Sequence, residues 1–173
     1  LLLFATVFST SFFVSAQKKD TIYWNLNSKL KWEDFKGKPD KTTNLLAMTQ
    51  AGIAYEVACH DGKLDLKIFC YFNVHKSWTK ETDSDHLLRH EQVHFDITEL
   101  YTRKLRKKIS DLAEPCGKNI NELNKIYERN FNECAKAQDD YGRQSNHSLN
   151  DEKQKEWEEK VAKELKELQP YAK

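Results

Sequence analysis

The sequence predicts an α+β fold in which strands come first along the chain and helices follow. Residues 51–74 alternate apolar and polar side chains around Asp61-Gly62, the pattern of an antiparallel β-hairpin. Three later segments instead carry apolar side chains every three or four positions, the spacing of amphipathic helices. This order of strands and helices, in a chain of 173 residues with few Gly and Pro, indicates one α+β domain.

The beginning of the chain differs in composition from the rest. The stretch from Leu1 to Ala16 is apolar and ends in the small residues of Val14-Ser15-Ala16. This is typical of the hydrophobic region and cleavage site of a secretory signal peptide, and it is short for a membrane span. The initiator Met and basic residues of such a peptide are missing. We therefore expect a truncated signal peptide over 1–16 and a secreted or periplasmic domain over 17–173, free of the membrane after cleavage.

The first half of that domain is predicted to form a small sheet. Thr21–Trp24 predicts a short strand, and Leu30–Pro39 predicts a turn with buried aromatic side chains. A hairpin turn at His60–Lys63 would place Cys59 opposite Leu64 and Cys70 opposite Ile53. We expect one hairpin face to pack on the first helix. It comprises Ile53, Tyr55, Val57, Cys59, Leu64, Leu66, Ile68 and Cys70.

The four cysteines are Cys59, Cys70, Cys116 and Cys134, and export would permit disulfide bonds among them. The hairpin register separates Cys59 from Cys70 by about 20 Å, too far for a bond. A helix over most of the stretch between Cys116 and Cys134 would separate that pair similarly. Bonds from the sheet to a helix and buried free thiols both stay open.

Three helices are predicted. The first spans roughly Ser84 to Ser110, with Asp83-Ser84-Asp85 as capping and first-turn residues. The second starts near Asn119 and ends near Tyr141-Gly142, and the third stops at Pro170. Apolar stripes expected to pack comprise Ile120, Leu123, Tyr127, Phe131 and Cys134 on the second helix and Trp157, Val161, Leu165 and Leu168 on the third.

The charges exclude one class of partner. The formal net charge is only +1, and the basic run Arg103–Lys108 suits the C-terminal end of the first helix. We therefore expect no binding to nucleic acid.

The most specific pattern is H-E-x-x-H at His90-Glu91-Gln92-Val93-His94. Residues four apart share one face of a helix, so His90 and His94 can offer two imidazole nitrogens to one metal ion. Glu91 then lies beside the ion, where a carboxylate can accept a proton from water. This is the arrangement of a zinc-dependent hydrolase.

A catalytic zinc ion (Zn²⁺) usually takes a third protein ligand. Helical rotation turns Glu99 and Asp96 away from the two histidines. His147, in a loop between two helices, is the favoured third ligand, while Glu114 or a second-helix glutamate (Glu128 or Glu133) stays open. The other histidines are less suitable. His60 lies at a hairpin tip, His75 near a strand end, and His86 would stack three histidines on one helix face.

The chain resembles a family of predicted secreted bacterial zinc-dependent proteases, catalogued as a domain of unknown function. The similar segments are Leu30–Gly37, Ser77-Trp78, His90–Tyr101 and Tyr141–His147. The last is similar to the family's Tyr-Asp-x-x-Thr-x-His-Gly segment, here with Gly142, Ser145 and Ser148 in place of Asp, Thr and Gly. The resemblance implies a zincin-like metallopeptidase domain with His147 among its zinc ligands.

The expected function is hydrolysis of a peptide or protein substrate, with zinc on His90, His94 and His147 and with Glu91 as general base. Tyr141, or else Tyr101, is a candidate donor to the oxyanion, although either ring could simply belong to the core. Asp140 could orient a ligand histidine or could be solvated. The alternative is an exported, non-catalytic module that contains zinc or is stabilised by disulfides.

Overall fold

The computed structural model describes residues 20–27, 29–61, 63–110 and 120–172, without the side chains of residues 59, 60, 63, 64 and 120. Three predictions lie outside the described residues: the signal peptide over 1–16, Cys116, and Glu114 as a metal ligand. Within them, the helices are α1 (Asp85–Ser110), α2 (Ile120–Gln144) and α3 (Asp151–Glu167). Strands are β1 (Thr21–Tyr23), β2 (Ala47–Met48), β3 (Ala51–His60), β4 (Lys63–Asn73) and β5 (Trp78–Thr79).

The α+β class predicted from the sequence is confirmed, because antiparallel sheets in the first half of the described chain precede the helices. The larger sheet has the strand order β1-β4-β3, and β2 pairs with β5. The helix bounds agree with the prediction to within about two residues. Pairing of β2 with β5 was not predicted, since strands of two residues are too short to show an alternating pattern.

The predicted hairpin register is confirmed, with Cys59 opposite Leu64 and Ile53 opposite Cys70. The prediction that the whole apolar face packs on the first helix is wrong at the outer end of the hairpin. Tyr55 and Val57 are 42% and 46% exposed. Helix α2 covers this part of the hairpin only partly, through Tyr127 against Tyr55, and alternation along a strand cannot tell how far a neighbouring helix reaches.

Two of the four cysteines are described with their side chains. Cys70 and Cys134 are buried free thiols, which decides between the open alternatives for this pair. Burial raises the pKa of both thiols, that of Cys134 to about 11, so neither is a reactive thiolate at neutral pH. The side chains of Cys59 and Cys116 lie outside the described residues.

Helix α1 lies between two hydrophobic cores. It begins at a cap formed by Ser84, whose Oγ accepts a hydrogen bond from the backbone N–H of Leu87 (3.1 Å). One core joins α1 to the other helices through Val93, Ile97, Leu100, Tyr141, Trp157, Val161 and Leu165. The other joins it to the sheet through Leu30, Phe35, Cys70, Phe72, Val74 and Phe95. Packing on both sides holds this helix in place.

Ser77 ties together the segments that precede α1. Its backbone carbonyl accepts from the N–H of Gly37 (2.7 Å), and its Oγ accepts from the N–H of Gln50 (2.9 Å). A Cβ on residue 37 would lie 2.7 Å from that same carbonyl oxygen, so only glycine permits this approach. The contact positions residues 45–53, which run alongside α1.

No helix in the described part of the chain is both long enough and apolar enough to cross a membrane.

Candidate active site

A cleft of about 760 Å³ runs along α1, with α2 on one side and residues 45–53 on the other. His90, Glu91 and His94 line it, and so does His147. A cavity of similar size, about 790 Å³, lies against Gln92 and Asp96 of the same helix. The histidines of the sequence motif distinguish the first cavity as the candidate active site.

His90 and His94 lie together in the cleft as the helical spacing predicts, with ring centroids 4.9 Å apart. His90 is buried and stacks on the ring of Tyr141 at 4.7 Å, and His94 meets the same ring edge-on at 4.8 Å. The tyrosine ring therefore restricts the orientation of both imidazoles.

Gln138 of α2 fixes the orientation and the tautomer of His94. Its side-chain amide donates to the backbone carbonyl of His94 (2.9 Å) and to Oγ1 of Thr98 (3.1 Å). Its Oε1 must therefore face Nδ1 of His94, 2.5 Å away, and can only accept there. The proton lies on Nδ1, which leaves Nε2 as the nitrogen with a free lone pair for a metal.

Gln154 of α3 lies near His90 but makes no such hydrogen bond to its ring. Nδ1 of His90 and Oε1 of Gln154 are both buried and make no hydrogen bond within the described residues. Gln154 nevertheless raises the pKa of His90 as a hydrogen-bonding neighbour, against stronger opposing effects. Among the residues that the structure describes, no hydrogen bond therefore fixes the protonated nitrogen of His90 in the way that Gln138 fixes that of His94.

Both imidazoles are neutral at neutral pH. Burial lowers the pKa of His90 to about 3, with further lowering by the nearby His94 and His147. Burial also lowers the pKa of His94 to about 4, against the hydrogen bond that its Nδ1 donates to Gln138. Neutral imidazole is the form that binds a metal ion, so neither ring has to lose a proton before a metal ion binds near pH 7.

Glu91 is buried beside these rings. Burial raises the pKa of its carboxyl group to about 7, although hydrogen bonding with Thr49 opposes the change. Its Oε2 makes no hydrogen bond within the described residues. The Oγ1 of Thr49 also donates to the backbone carbonyl of Glu91 (3.2 Å), which connects the cleft wall to α1. A carboxyl group with a pKa near neutrality is suited to general acid–base catalysis.

His147 lies in the loop between α2 and α3, where its ring reaches back over Gly142. A Cβ on residue 142 would lie 3.5 Å from Cε1 of His147. Asn146, His147 and Ser148 all have positive φ, at 48°, 51° and 74°. Non-glycine residues in this region cost roughly 1 kcal/mol or more each, and such strain concentrates at functional sites.

The strained loop is held by hydrogen bonds at both ends. The N–H of His147 donates to the carbonyl of Gly142 (2.9 Å), and the N–H of Asn150 donates to that of Ser145 (2.8 Å). Nε2 of His86 donates to the backbone carbonyl of Ser148 (2.8 Å). His86 thus links the loop to the first turn of α1, on the same helix face as His90.

The other carboxylates weighed as ligands lie elsewhere. Glu99 points away from the cleft, as helical geometry predicts, and binds Arg103 (2.8 Å). Asp96 lines the opposite cavity and accepts from Nε1 of Trp24 (2.7 Å). Glu128 and Glu133 are exposed. Across residues 20–27, 29–61, 63–110 and 120–172, no group of three His, Cys, Asp or Glu side chains is close enough together to hold a metal ion.

Tyr141 and Asp140 take positions that the sequence could not define. Tyr141 is fully buried, and its hydroxyl is 3.4 Å from the backbone carbonyl of His90, a long hydrogen bond. Its role as an oxyanion donor stays a prediction. Asp140 pairs with Lys136 (2.9 Å) and Arg143 (2.7 Å) on the surface of α2, so it does not orient a histidine.

Sequence reasoning missed the glutamines and Thr49. Gln138 and Gln154 occur in helices rich in polar residues, and nothing in their spacing separates them from solvated neighbours. The one available signal was positional: Gln138 lies one helical turn after Cys134, on the face that the sequence predicted to pack.

Residues 72–148 match the family described as a bacterial protein of unknown function (DUF922). The matched segment is a little under half of the chain and contains His90, Glu91, His94 and His147. The expected similarity to a bacterial domain of unknown function is confirmed over this segment, whose description assigns it no activity, and the match does not reach Leu30–Gly37. No curated protein and no solved structure matches the chain.

Proposed function

We propose that the protein is a secreted zinc-dependent hydrolase, a metallopeptidase that cleaves peptide bonds in the cleft along α1. His90, His94 and His147 would hold the ion, and Glu91 would act as general base. The observation that carries the proposal is the hydrogen bond from Nδ1 of His94 to Gln138, because it leaves Nε2 free beside a buried carboxyl group.

Bound zinc would polarise the scissile carbonyl and lower the pKa of a water molecule toward neutrality. The protein residues provide the proton transfer. Glu91 accepts a proton from the attacking water and delivers it to the departing amine, which requires a carboxyl group able to hold a proton near neutral pH. Burial of Glu91 supplies that property.

The donor set fits zinc in chemistry and in protonation. Histidine nitrogen is a preferred zinc ligand, and two neutral imidazoles four residues apart match the spacing of two such ligands. His147 faces the same cleft from a strained loop. For three ligands to act together, the His147 ring must approach the other two more closely than it does in this structure. A module with a purely structural ion has no need for a buried Glu91 beside it.

The test combines metal analysis with peptide hydrolysis. Wild type, His147→Ala, Glu91→Gln and His75→Ala are purified after expression in zinc-replete medium. His75 is the matched control, since it pairs with Asp20 on the surface outside the cleft. Zinc per chain is measured by mass spectrometry of the metal, and hydrolysis is followed on a mixed peptide library.

We expect one zinc per chain in wild type and in His75→Ala, and a sharp loss of zinc in His147→Ala. Glu91→Gln should keep the ion and lose hydrolysis by a factor on the order of 10²–10⁴. Wild-type protein without zinc would overturn the site. Equal behaviour of Glu91→Gln and wild type on every peptide would overturn the catalytic role and leave the non-catalytic module.

A further inference from the structure

One large apolar side chain in the cleft is left largely uncovered by the residues that the structure describes. Phe131 was predicted to pack within the inward stripe of α2, but it is 56% exposed. It lines the cleft together with Ile53, Cys134 and Ala135. An aromatic ring that stays open to solvent inside a cavity, rather than on a convex surface, is a ready site for another apolar group.

The wall opposite Phe131 is held in place by α2 itself. The hydroxyl of Tyr127, one helical turn before Phe131, donates to the backbone carbonyl of Ile53 (3.1 Å). Tyr127 also packs edge-on against Tyr55 at 5.2 Å. The apolar end of the cleft therefore has two preformed sides and does not depend on a loop closing over it.

The two ends of the cleft differ in character. Arg143, Asn146 and His147 are at one end, and the lining around Phe131 and Ile53 is apolar. A charged side chain placed at the Phe131 end would find no charged partner among Ile53, Cys134 and Ala135. A large apolar side chain would bury its own surface and that of Phe131 together.

The distance from this end of the cleft to the histidines corresponds to a definite number of residues of an extended peptide substrate. Gln138, which contacts His94, follows Phe131 by two helical turns on the same face of α2. That is about 10 Å along the helix axis. An extended peptide advances about 3.3 Å per residue, so the apolar end lies about three residues from the reacting bond.

We infer that the apolar end of the cleft, formed by Phe131, Ile53 and Ala135, binds a large apolar side chain of an extended peptide substrate, three residues from the scissile bond. The inference rests on the proposed function and names the substrate class of the same site. Peptides that carry Phe or Leu at this position are preferred over peptides that carry Ser, Asp or Lys.

The experiment first locates the cleavage sites of zinc-loaded wild type in a peptide library by mass spectrometry. Two peptides are then made that differ only at the third residue from the cleaved bond, Phe in one and Ser in the other. kcat/KM is measured for wild type, Phe131→Ala and Tyr23→Ala. Tyr23 is the matched control, because it is an aromatic residue of similar exposure (59%) outside the cleft. Binding of both peptides to the Glu91→Gln protein by fluorescence anisotropy gives a readout without turnover.

We expect wild type to favour the Phe peptide by about 10- to 100-fold, and Phe131→Ala to remove most of that preference with little change for the Ser peptide. Tyr23→Ala should behave as wild type, and the Glu91→Gln protein should bind the Phe peptide more tightly than the Ser peptide. Cleavage without an apolar preference, or an equal loss on both peptides in Phe131→Ala, overturns this inference and leaves the proposed function intact. Absence of both zinc and cleavage in wild type overturns the proposed function and this inference with it.

Discussion

The two faces of α1 bury polar groups in opposite ways. On the face away from the cleft, Glu99 accepts from Arg103 (2.8 Å) and Arg106 (3.1 Å), and Arg103 also donates to the carbonyl of Leu165 (2.7 Å). On the cleft face, Nδ1 of His90 and Oε2 of Glu91 are buried without a hydrogen bond within the described residues. On the first face the protein itself supplies the hydrogen-bond partners of the buried polar groups. On the cleft face, two buried polar atoms are available to a bound ligand.

The difference indicates which face serves stability and which serves chemistry. Arg106 extends the satisfied network to the carbonyls of Ile68 in the sheet and Tyr171 near the end of the described chain, so three parts of the fold meet there. Buried polar atoms left unpaired cost free energy, and a fold retains them where they are used. The comparison yields four predictions.

The largest effect is expected from Glu99→Gln. This change leaves Arg103 and Arg106 buried without a counter-charge. Removing one partner of a buried ionic network typically lowers the free energy of unfolding by about 3–5 kcal/mol. Urea unfolding at neutral pH measures the loss. Glu133→Gln is the control, since Glu133 pairs with Lys108 on the surface and should change stability by about 1 kcal/mol or less. Equal losses in the two variants would contradict the assignment of stability to this face.

Glu91→Gln should have the opposite sign and should stabilise the zinc-free protein at high pH. The pKa of Glu91 is raised from 4.5 to about 7 on folding, so ionised Glu91 destabilises the native state at pH 8, by up to about 3 kcal/mol. As the pH falls through 7 the folded protein takes up this proton, and the penalty declines until it is gone below pH 4.5.

Urea unfolding of chelator-treated wild type and Glu91→Gln between pH 8 and pH 4.5 tests this dependence. The advantage of the variant should be greatest at pH 8 and should shrink steadily on acidification, while His90 and His94 contribute equally to both proteins. A difference that does not change with pH would show that Glu91 is not buried as an unpaired carboxyl group.

An intermediate effect is expected from Gln138→Ala. Loss of the acceptor for Nδ1 of His94 should weaken zinc binding by about 10- to 100-fold, the usual effect of removing a residue that orients a ligand histidine. Competition with a zinc chelator gives the affinity. Asn132→Ala, an exposed residue of the same helix outside the cleft, is the control, and Gln138→Glu retains an acceptor and should recover most of the affinity. Unchanged affinity in Gln138→Ala would remove Gln138 from the site.

The smallest effect is expected from Tyr141→Phe. Its hydroxyl makes only a long contact of 3.4 Å with the carbonyl of His90, so its loss should cost less than about 1 kcal/mol of stability. The ring that holds both imidazoles remains, and kcat should stay within a few-fold of wild type. A fall in kcat of two orders of magnitude, with unchanged zinc content, would instead support Tyr141 as the oxyanion donor.

Features within one element or one turn were predictable from the sequence. The spacing of His90 and His94 placed both rings in one cleft, and the same rotation turned Glu99 away from it. The turn at His60–Lys63 determined the register of the hairpin. Each of these results depends only on the geometry of a regular helix or a tight turn.

Predictions that depended on a neighbouring element were less successful. The predicted apolar stripe of α2 is confirmed for Leu123 and Cys134, which are buried, but Phe131 in the same stripe is open to the cleft. Tyr55 and Val57 were assigned to the core but are 42% and 46% exposed, although Tyr127 of α2 contacts the ring of Tyr55. Apolar spacing shows which face of an element is apolar, and says nothing about where the partner of that face ends.

The sequence by itself determined the α+β class, the hairpin register and the shared face of the two motif histidines. Only the tertiary structure decided that Gln138, 44 residues from His94 in sequence, sets its tautomer, and that Phe131 stays uncovered at one end of the cleft. The physical reason is that backbone periodicity acts over a few residues. Contacts between helices depend on how their surfaces pack, which no local pattern encodes.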